Sequence, residues 1–229
     1  MCRFIQYIVL YASFCAPYLM MALAAFTFNA CGDDDPMTEE PGTEQPETPG
    51  DSTDNPDNPN NPDTPAGNSN ILVAYFSWGG TTQRMAQQIV SHTGADLFRI
   101  EPVTPYPEDY TECTEVALAE RDSNARPAIN SIIEDEAWAE YDTIFIGCPV
   151  WWWTTPMIIC TFSESYDFTG KTVIPFCTYA STYRDETLAR IVELTSGAKA
   201  HLEGLGLTSG SLSNESNVEN WLREIGIIE

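Results

Sequence analysis

The chain has 229 residues, with 34 acidic and 10 basic side chains and a formal net charge of −24. Proteins that bind nucleic acid need clustered cations to neutralise phosphates, and this chain contains only two lysines, so that class is excluded. Residues 71–229 carry 23 acidic and nine basic side chains, so the part with the composition of a folded domain is also acidic. Anionic membrane surfaces are therefore poor partners for it.

The first 30 residues have the composition of a targeting segment. Arg3 precedes an apolar run from Phe4 to Phe28, which ends at Asn29-Ala30-Cys31 before an abruptly polar stretch. A small residue followed by Cys at this point resembles the lipobox of bacterial lipoproteins. We therefore predict a lipoprotein-type signal peptide at 1–30, with cleavage before Cys31 and lipid attached to it. A spanning helix that stays in the bilayer is the alternative for a run of this length.

Residues 31–70 have the composition of a linker. They contain eight prolines and eleven acidic residues, no basic residue and almost no large apolar side chain. Such a segment cannot bury enough surface to offset the entropy lost on ordering. We predict an acidic tether here and one domain of ordinary size at 71–229. The lipoprotein resemblance implies a place in the bacterial cell envelope, at the outer membrane, with lipid as the sole membrane contact.

Apolar periodicity in residues 71–229 predicts strands that alternate with helices. The predicted strands are 71–76, 97–100, 143–149, 172–178 and 198–207. Helical spacing of apolar residues predicts helices around 85–90, 110–117, 157–163, 188–192 and 218–225, the last opened by a capping box from Ser216 to Glu219. This alternation indicates an α/β protein with a doubly wound parallel sheet of five strands. Cys113, Cys148, Cys160 and Cys177 have no metal-ligand or dithiol spacing, and we expect buried free thiols.

The first strand is followed by a glycine-rich turn, Ser77-Trp78-Gly79-Gly80-Thr81-Thr82, that leads into a helix. Glycines let backbone N–H groups approach an anion, and the N-terminus of the helix adds its dipole. Hydroxyl groups supply further donors. The turn therefore suits a phosphate group, although an ordinary glycine turn with a threonine cap explains the same residues.

Two later strands also end in unusual segments. Gly147 to Pro156 contains three consecutive tryptophans, and side chains that follow one another in an extended segment diverge, so at least one indole should be partly exposed. An exposed indole at this position is suited to stacking on a planar ligand, with packing against a helix or a partner as the alternative. Cys177 to Tyr183 is polar and aromatic and could complete the wall of the same pocket. Ligands bind at this edge of doubly wound sheets.

These segments together resemble the flavodoxin family. Residues 71–89 resemble its opening strand and phosphate loop, and 104–110, 147–156 and 166–178 resemble further motifs of a flavodoxin-like branch. The resemblance covers essentially all of 71–229. It implies the strand order 2-1-3-4-5 and FMN as cofactor, used in electron transfer or in FMN-dependent oxidoreduction. A redox partner protein or NAD(P)H is the implied partner.

The resemblance also implies which residues bind FMN. The phosphate would be held by the turn after the first strand, and the flavin ring would lie between the ends of the two later strands. The implied residues are Ser77, Gly79, Gly80, Thr81 and Thr82 for the phosphate, and Pro149, Val150, Trp151, Trp152, Trp153, Thr154, Thr178, Tyr179 and Ala180 for the ring. Trp151 or Trp152, together with Tyr179, are the implied stacking partners.

Several positions depart from the pattern of the family. Members usually have Ser or Thr where Gly79 stands, Asn where Thr81 stands and Gly where Trp153 stands. A tryptophan at a ring-contacting position could exclude the flavin. The alternative function is therefore a cofactor-free surface module that keeps the fold and binds a ligand with its aromatic loops.

Overall fold

The computed structural model describes residues 70–130 and 132–229. The predicted signal peptide, Cys31 and the predicted linker up to residue 69 lie outside the described residues. Within the described ranges, no helix combines the length and the apolar character needed to cross a bilayer.

A parallel sheet forms the centre of the fold. Its strands are β1 (Ile71–Tyr75), β2 (Asp96–Arg99), β3 (Thr143–Pro149), β4 (Thr172–Thr178), β5 (Ala200–His201) and β6 (Leu205–Leu207). They are ordered β2-β1-β3-β4-β5, and β6 also pairs with β4. This arrangement confirms the predicted fold class and strand order. The carboxyl ends of β1, β3 and β4 consequently meet at one edge of the sheet.

Helices cover both faces of the sheet. They are α1 (Thr81–Thr93), α2 (Tyr110–Asp122), α3 (Asp135–Ala139), α4 (Met157–Ser165), α5 (Arg184–Leu194), α6 (Ser209–Leu212) and α7 (Ser216–Glu224). Side chains alternate along a strand, so Val73 and Tyr75 point towards the layer that contains α1 and α7, whereas Leu72 and Ala74 point towards the layer that contains α3, α4 and α5. Each face has its own apolar core.

The predicted last strand, 198–207, is divided into β5 and β6, and the physical cause lies in β4. Leu202 N–H donates to the carbonyl of Val173, and Tyr179 N–H donates to the carbonyl of Leu207. The backbone groups of the odd-numbered residues of β4 therefore point towards β5 and β6. Pro175 occupies one of these positions and has no N–H to donate. The register therefore shifts by one residue between β5 and β6.

The predicted capping box at the last helix is wrong. Glu215 is the N-cap of α7 and makes no side-chain cap hydrogen bond, and Ser216 already lies in the helix. The Ser216 N–H is bound instead by the Oδ1 atom of Asn214, at 3.3 Å. The short helices α3 and α6 were not predicted, because segments of four or five residues carry too little periodicity. The four cysteines among the described residues are buried and free, as predicted.

Candidate functional site

The turn after β1 presents the N-terminus of α1 without a side-chain cap. Gly80 is the N-cap residue, with φ of 80°, and the helix has no side-chain cap hydrogen bond at this end. A residue with a Cβ atom is strained at positive φ, which explains why a glycine stands here. A Cβ atom at Gly79 or at Gly80 would meet nothing within 4 Å, so the backbone here faces open space. The helix terminus can therefore accept an anion at its free amide groups.

Hydroxyl and guanidinium groups surround this turn. The Ser77 hydroxyl is buried and has no hydrogen-bond partner, a state that costs about 1–3 kcal/mol and is typical of a group that serves a ligand. Gly79 and Gly80 line a cavity of about 350 Å³ together with Arg84 and Arg99. Arg99 also donates to the carbonyl of Ser77, at 3.4 Å. Positive charge therefore lies beside the predicted phosphate loop.

Thr82 and Thr178 are buried side chains that contact each other. Their Oγ1 atoms are 2.7 Å apart, and the side chains are 1% and 5% exposed. This hydrogen bond connects the first turn of α1 with the end of β4. The structure thus brings these two predicted site residues together.

A second cavity, of about 370 Å³, opens at the same edge of the sheet. This volume lies within the range of small-molecule pockets. Its walls come from the loops after β1, β3 and β4 and from helix α2. The lining residues are Trp78, Tyr110, Cys113, Thr114, Ala117, Val150, Trp151, Trp152, Trp153, Ala180, Ser181, Thr182 and Tyr183.

Five of the residues predicted for the flavin ring line this cavity, and others do not. Val150 to Trp153 and Ala180 are lining residues. Pro149 is the last residue of β3 and pairs with Thr178. Thr154 closes the hairpin opposite Trp151, and Tyr179 is bonded through its N–H to Leu207. These three residues support the loops and do not line the cavity.

The tryptophan segment is a tight hairpin with an unusual backbone. Trp151 and Thr154 exchange two backbone hydrogen bonds, each of 3.0 Å. The two central residues have positive φ, 43° at Trp152 and 72° at Trp153, which is the pattern of a type I′ turn. For residues other than glycine, such a conformation costs about 1–3 kcal/mol. This hairpin therefore stores strain at the edge of the cavity.

The three indole rings take three different places. Trp151 packs edge-on against Phe76 and Tyr106, at centroid distances of 5.2 and 5.0 Å. Trp152 donates its Nε1 hydrogen to the carbonyl of Thr114, at 2.7 Å. Trp153 is 56% exposed, which confirms the prediction that at least one indole is partly exposed. Its ring lies 5.8 Å from that of Tyr183.

Helix α2 braces the hairpin through Arg121. The guanidinium lies 5.6 Å from the ring centroid of Trp152 and 5.2 Å from that of Trp153, in the range of cation–π contacts. It also donates to the carbonyl of Trp152, at 3.4 Å, and is paired with Asp122, at 2.6 Å. The end of α2 therefore holds both strained residues in position.

Tyr183 and Trp78 are among the aromatic residues of the cavity that were not predicted as site residues. The structure puts Tyr183 at the cavity, where the prediction chose Tyr179; Tyr183 is the N-cap of α5, with φ of 63°. Trp78 also lines the cavity, and its Nε1 hydrogen is donated to the carbonyl of Pro107, at 2.9 Å. Both residues stand within segments that the sequence marked as unusual. The backbone conformation decides which residue of each segment faces the cavity, and that conformation could not be predicted from the amino-acid composition of the segment.

Burial raises the pKa of two titratable groups near the cavity, Cys113 and Tyr106. Cys113 lines the cavity, and burial, with a smaller effect of the Glu120 charge, raises the pKa of its thiol. A thiol with a raised pKa is a weak nucleophile. The Tyr106 hydroxyl donates to Glu120, at 2.8 Å, and burial together with this carboxylate raises the pKa of Tyr106. The site therefore offers aromatic surface and backbone donors in place of a nucleophile.

Comparison with known proteins agrees with this geometry. A family model described as flavodoxin matches residues 70–225, most of the part that the structure describes. The chain belongs to the flavodoxin family. None of the curated protein sequences compared with the chain matches it.

Solved structures of flavoproteins are similar to it. A candidate flavoprotein of Bacteroides eggerthii is 34% identical, with a TM-score of 0.59, and the match covers 68% of this chain and 96% of that one. One of Bacteroides uniformis is 36% identical, with a TM-score of 0.57 and coverages of 67% and 97%. A Lactobacillus acidophilus flavoprotein in complex with FMN is 25% identical, with a TM-score of 0.54 and coverages of 66% and 97%.

Within the flavodoxin fold, the two cavities lie where ligands of doubly wound sheets bind. β1 lies between β2 and β3, so the strand order reverses there. The glycine turn follows β1 and the tryptophan hairpin follows β3. Ligand sites lie at this switch point, outside the carboxyl ends of the strands.

Proposed function

We propose that this flavodoxin-family protein binds FMN at the carboxyl ends of β1, β3 and β4 and works in electron transfer or FMN-dependent oxidoreduction. One observation carries the proposal: an uncapped glycine turn at a helix N-terminus opens at the same sheet edge as an aromatic cavity. A phosphate needs the first feature and a flat, mostly apolar ring needs the second. The flavodoxin-like relative that contains FMN supports the same ligand.

The glycine turn would hold the phosphate of FMN. Its backbone N–H groups and the hydroxyls of Ser77 and Thr81 are the donors, and Gly80 keeps the approach open. Arg84 adds a positive charge from the first turns of α1. Because a domain with a large acidic excess repels anions, these donors offset that repulsion locally.

The aromatic cavity would hold the flavin ring. When bound, FMN supplies redox chemistry that no amino-acid side chain can perform, and the protein binds and orients it. Val150, Trp151 and Ala180 lie along the cavity wall, and the aromatic side chains keep water from the ring. The Arg121 brace holds the hairpin of Trp152 and Trp153 in one conformation.

Trp153 is compatible with a bound flavin. Its backbone has the positive φ that a glycine would adopt, and its ring is turned towards Tyr183 and is more than half exposed. The bulky side chain therefore stands at the mouth of the cavity and does not fill it. This placement favours a flavoprotein over the cofactor-free module.

The proposal is tested by titrating the purified protein with FMN and following quenching of flavin fluorescence. Gly80→Val should abolish binding, because the side chain covers the backbone donors. Gly170→Val is the matched control, since Gly170 has φ of 85°, equally open surroundings and a place before β4, at the other edge of the sheet. Both variants carry the same backbone strain, so a loss of FMN confined to Gly80→Val identifies the site.

Failure of the wild-type protein to quench flavin fluorescence would refute the proposal. Equal losses in both glycine variants would refute the assignment of the phosphate loop, because they would trace the loss to strain alone. A gain in melting temperature with FMN provides an independent readout, since a ligand that binds only the native state stabilises it.

The place of the protein in the cell is part of the same proposal. Lipid on Cys31 would tether the flavodoxin domain to a bacterial envelope membrane, at the outer membrane, through the acidic segment 31–70. A redox partner protein or NAD(P)H would exchange electrons with the domain. The support for the tether is the sequence of residues 1–31.

A further inference from the structure

Four exposed aromatic side chains line the cavity beside the tryptophan hairpin. We name Trp78, Tyr110, Trp153 and Tyr183 the aromatic rim; they are 37%, 70%, 56% and 39% exposed. They form two pairs, with ring centroids 6.3 Å apart for Trp78 and Tyr110 and 5.8 Å apart for Trp153 and Tyr183. Four of the seven exposed large hydrophobic side chains of the described residues thus stand at one opening. A concentration of exposed apolar surface at one place marks a binding site.

Strained backbone occurs at three residues of this cavity, and two of them, Trp153 and Tyr183, belong to the aromatic rim. Four residues other than glycine have positive φ within residues 70–130 and 132–229, and Trp152, Trp153 and Tyr183 are three of them. All three line this cavity. Packing of a buried aromatic side chain could offset such strain, but Trp153 and Tyr183 are both exposed, at 56% and 39%. Strain that persists in this way is characteristic of functional sites.

The charges around the rim are predominantly negative. Asp109 and Glu112 flank Tyr110, and Asp185 and Glu186 follow Tyr183 closely along the chain. Both arginines beside the rim have an acidic neighbour. Arg121 pairs with Asp122, at 2.6 Å, and Arg184 lies 3.6 Å from Asp185. An anionic ring compound would therefore be repelled.

We infer that the aromatic rim binds an uncharged planar ring compound by stacking, and that this class of compound is the substrate of the protein. The inference rests on the proposed function, because a substrate at this opening would meet the flavin held deeper in the cavity. Aromatic pairs favour offset or tilted contacts, and the two tilted pairs of the rim present faces for such contacts. The acidic surroundings select against anionic rings such as sulfonates.

The test uses the full chain loaded with FMN and isothermal titration calorimetry with 1,4-naphthoquinone as the probe. Trp153→Gly and Tyr183→Gly each remove one ring. Because glycine adopts positive φ without strain, the loops keep their conformation. Each should weaken binding about two- to tenfold, the effect of one aromatic contact. Ile132→Ala is the matched control, because Ile132 is 67% exposed and lies outside the cavity, and it should leave the affinity unchanged.

Flavin absorbance is recorded with every titration and separates the two proposals. If the wild-type protein retains no flavin, the proposed function fails and the inference fails with it. If flavin is retained but naphthoquinone does not bind, or binds equally well to both glycine variants, the inference alone is overturned and the rim is left as a surface for a protein partner. Release of flavin by the probe would also overturn it, because the ring would then occupy the cofactor's place.

The charge of the ligand is tested with 1,4-naphthoquinone-2-sulfonate, which has the same ring system and one negative charge. We expect it to bind at least fivefold more weakly than the uncharged probe at low ionic strength. Added salt should narrow the difference, because salt screens the repulsion. Equal or tighter binding of the sulfonate would show that the acidic residues do not select the ligand and would contradict the uncharged class.

Discussion

Glu120 is a partly buried carboxyl group beside the site, and its environment gives a pH-dependent effect on stability. Burial raises its pKa, and the hydrogen bond from Tyr106 partly opposes that change. A carboxyl group whose folded pKa lies above its unfolded value favours folding when it is protonated. This contribution is present below the ordinary glutamate pKa, about 4.5, and is lost as the pH rises through the folded pKa.

We predict that Glu120→Gln becomes progressively more stable relative to the wild-type protein as the pH rises from 4 to 8. Glutamine can still accept the hydrogen bond of Tyr106 and carries no charge to desolvate. The measurement is the free energy of unfolding of both proteins in urea across this range. Glu164→Gln is a useful contrast, because the Arg126 side chain lowers the pKa of Glu164. This variant should become less stable relative to the wild-type protein as the pH rises. If the difference in unfolding free energy between the wild-type protein and Glu120→Gln does not change with pH, the raised pKa of Glu120 is contradicted.

At the scale of elements, Lys171 connects the short helix α3 to the start of β4. The side chain is 7% exposed, and its Nζ atom donates to the carbonyls of Trp138, at 2.7 Å, and Tyr141, at 2.6 Å. The ammonium group also lies 5.1 Å from the Trp138 ring centroid. Burial lowers the pKa of Lys171, and the charges of Asp142 and Asp167 partly oppose that change. One side chain thus supplies the hydrogen-bond donors for carbonyl groups at the end of α3, a helix of five residues that has little stability of its own.

Lys171→Met should therefore destabilise the protein by about 2–4 kcal/mol, because it leaves two carbonyl groups without their donor. Thermal or urea unfolding measures the loss. Lys199→Met is the matched control, since Lys199 is the other lysine of the chain and is exposed, and it should change the stability by less than about 0.5 kcal/mol. Similar effects of the two substitutions would show that the buried ammonium does not support α3.

At the scale of the whole molecule, the chain joins an acidic domain to a predicted lipid anchor. The acidic surface keeps the domain from anionic lipid headgroups, so we expect membrane attachment to depend on the anchor. We predict that Cys31→Ala abolishes incorporation of labelled palmitate in a bacterial host and leaves the signal peptide uncleaved. Cys113→Ala is the control and should label normally, because that thiol is buried. Unchanged labelling of Cys31→Ala would refute the lipoprotein assignment and favour the spanning helix.

Much of the fold could be predicted from the sequence because its strands are continuous apolar runs. β3 and β4 were predicted with their observed bounds, because both strands are covered on two faces and all residues between their ends are buried. The glycine turn before α1 was predicted for a similar reason, since positive φ at Gly80 is a local requirement. Properties that depend on one residue and its immediate neighbours are therefore determined by the sequence alone.

Properties that depend on the opposing element were decided only by the tertiary structure. Pro175 divides the edge strand because it faces that strand, and periodicity does not tell which neighbour a residue faces. Trp151, Trp152 and Trp153 are chemically identical, yet Phe76, the Thr114 carbonyl and Tyr183 give their rings three different environments. Composition located the aromatic site, whereas the conformation of two loops decided which rings form its rim, because a change of φ at one residue redirects every side chain beside it.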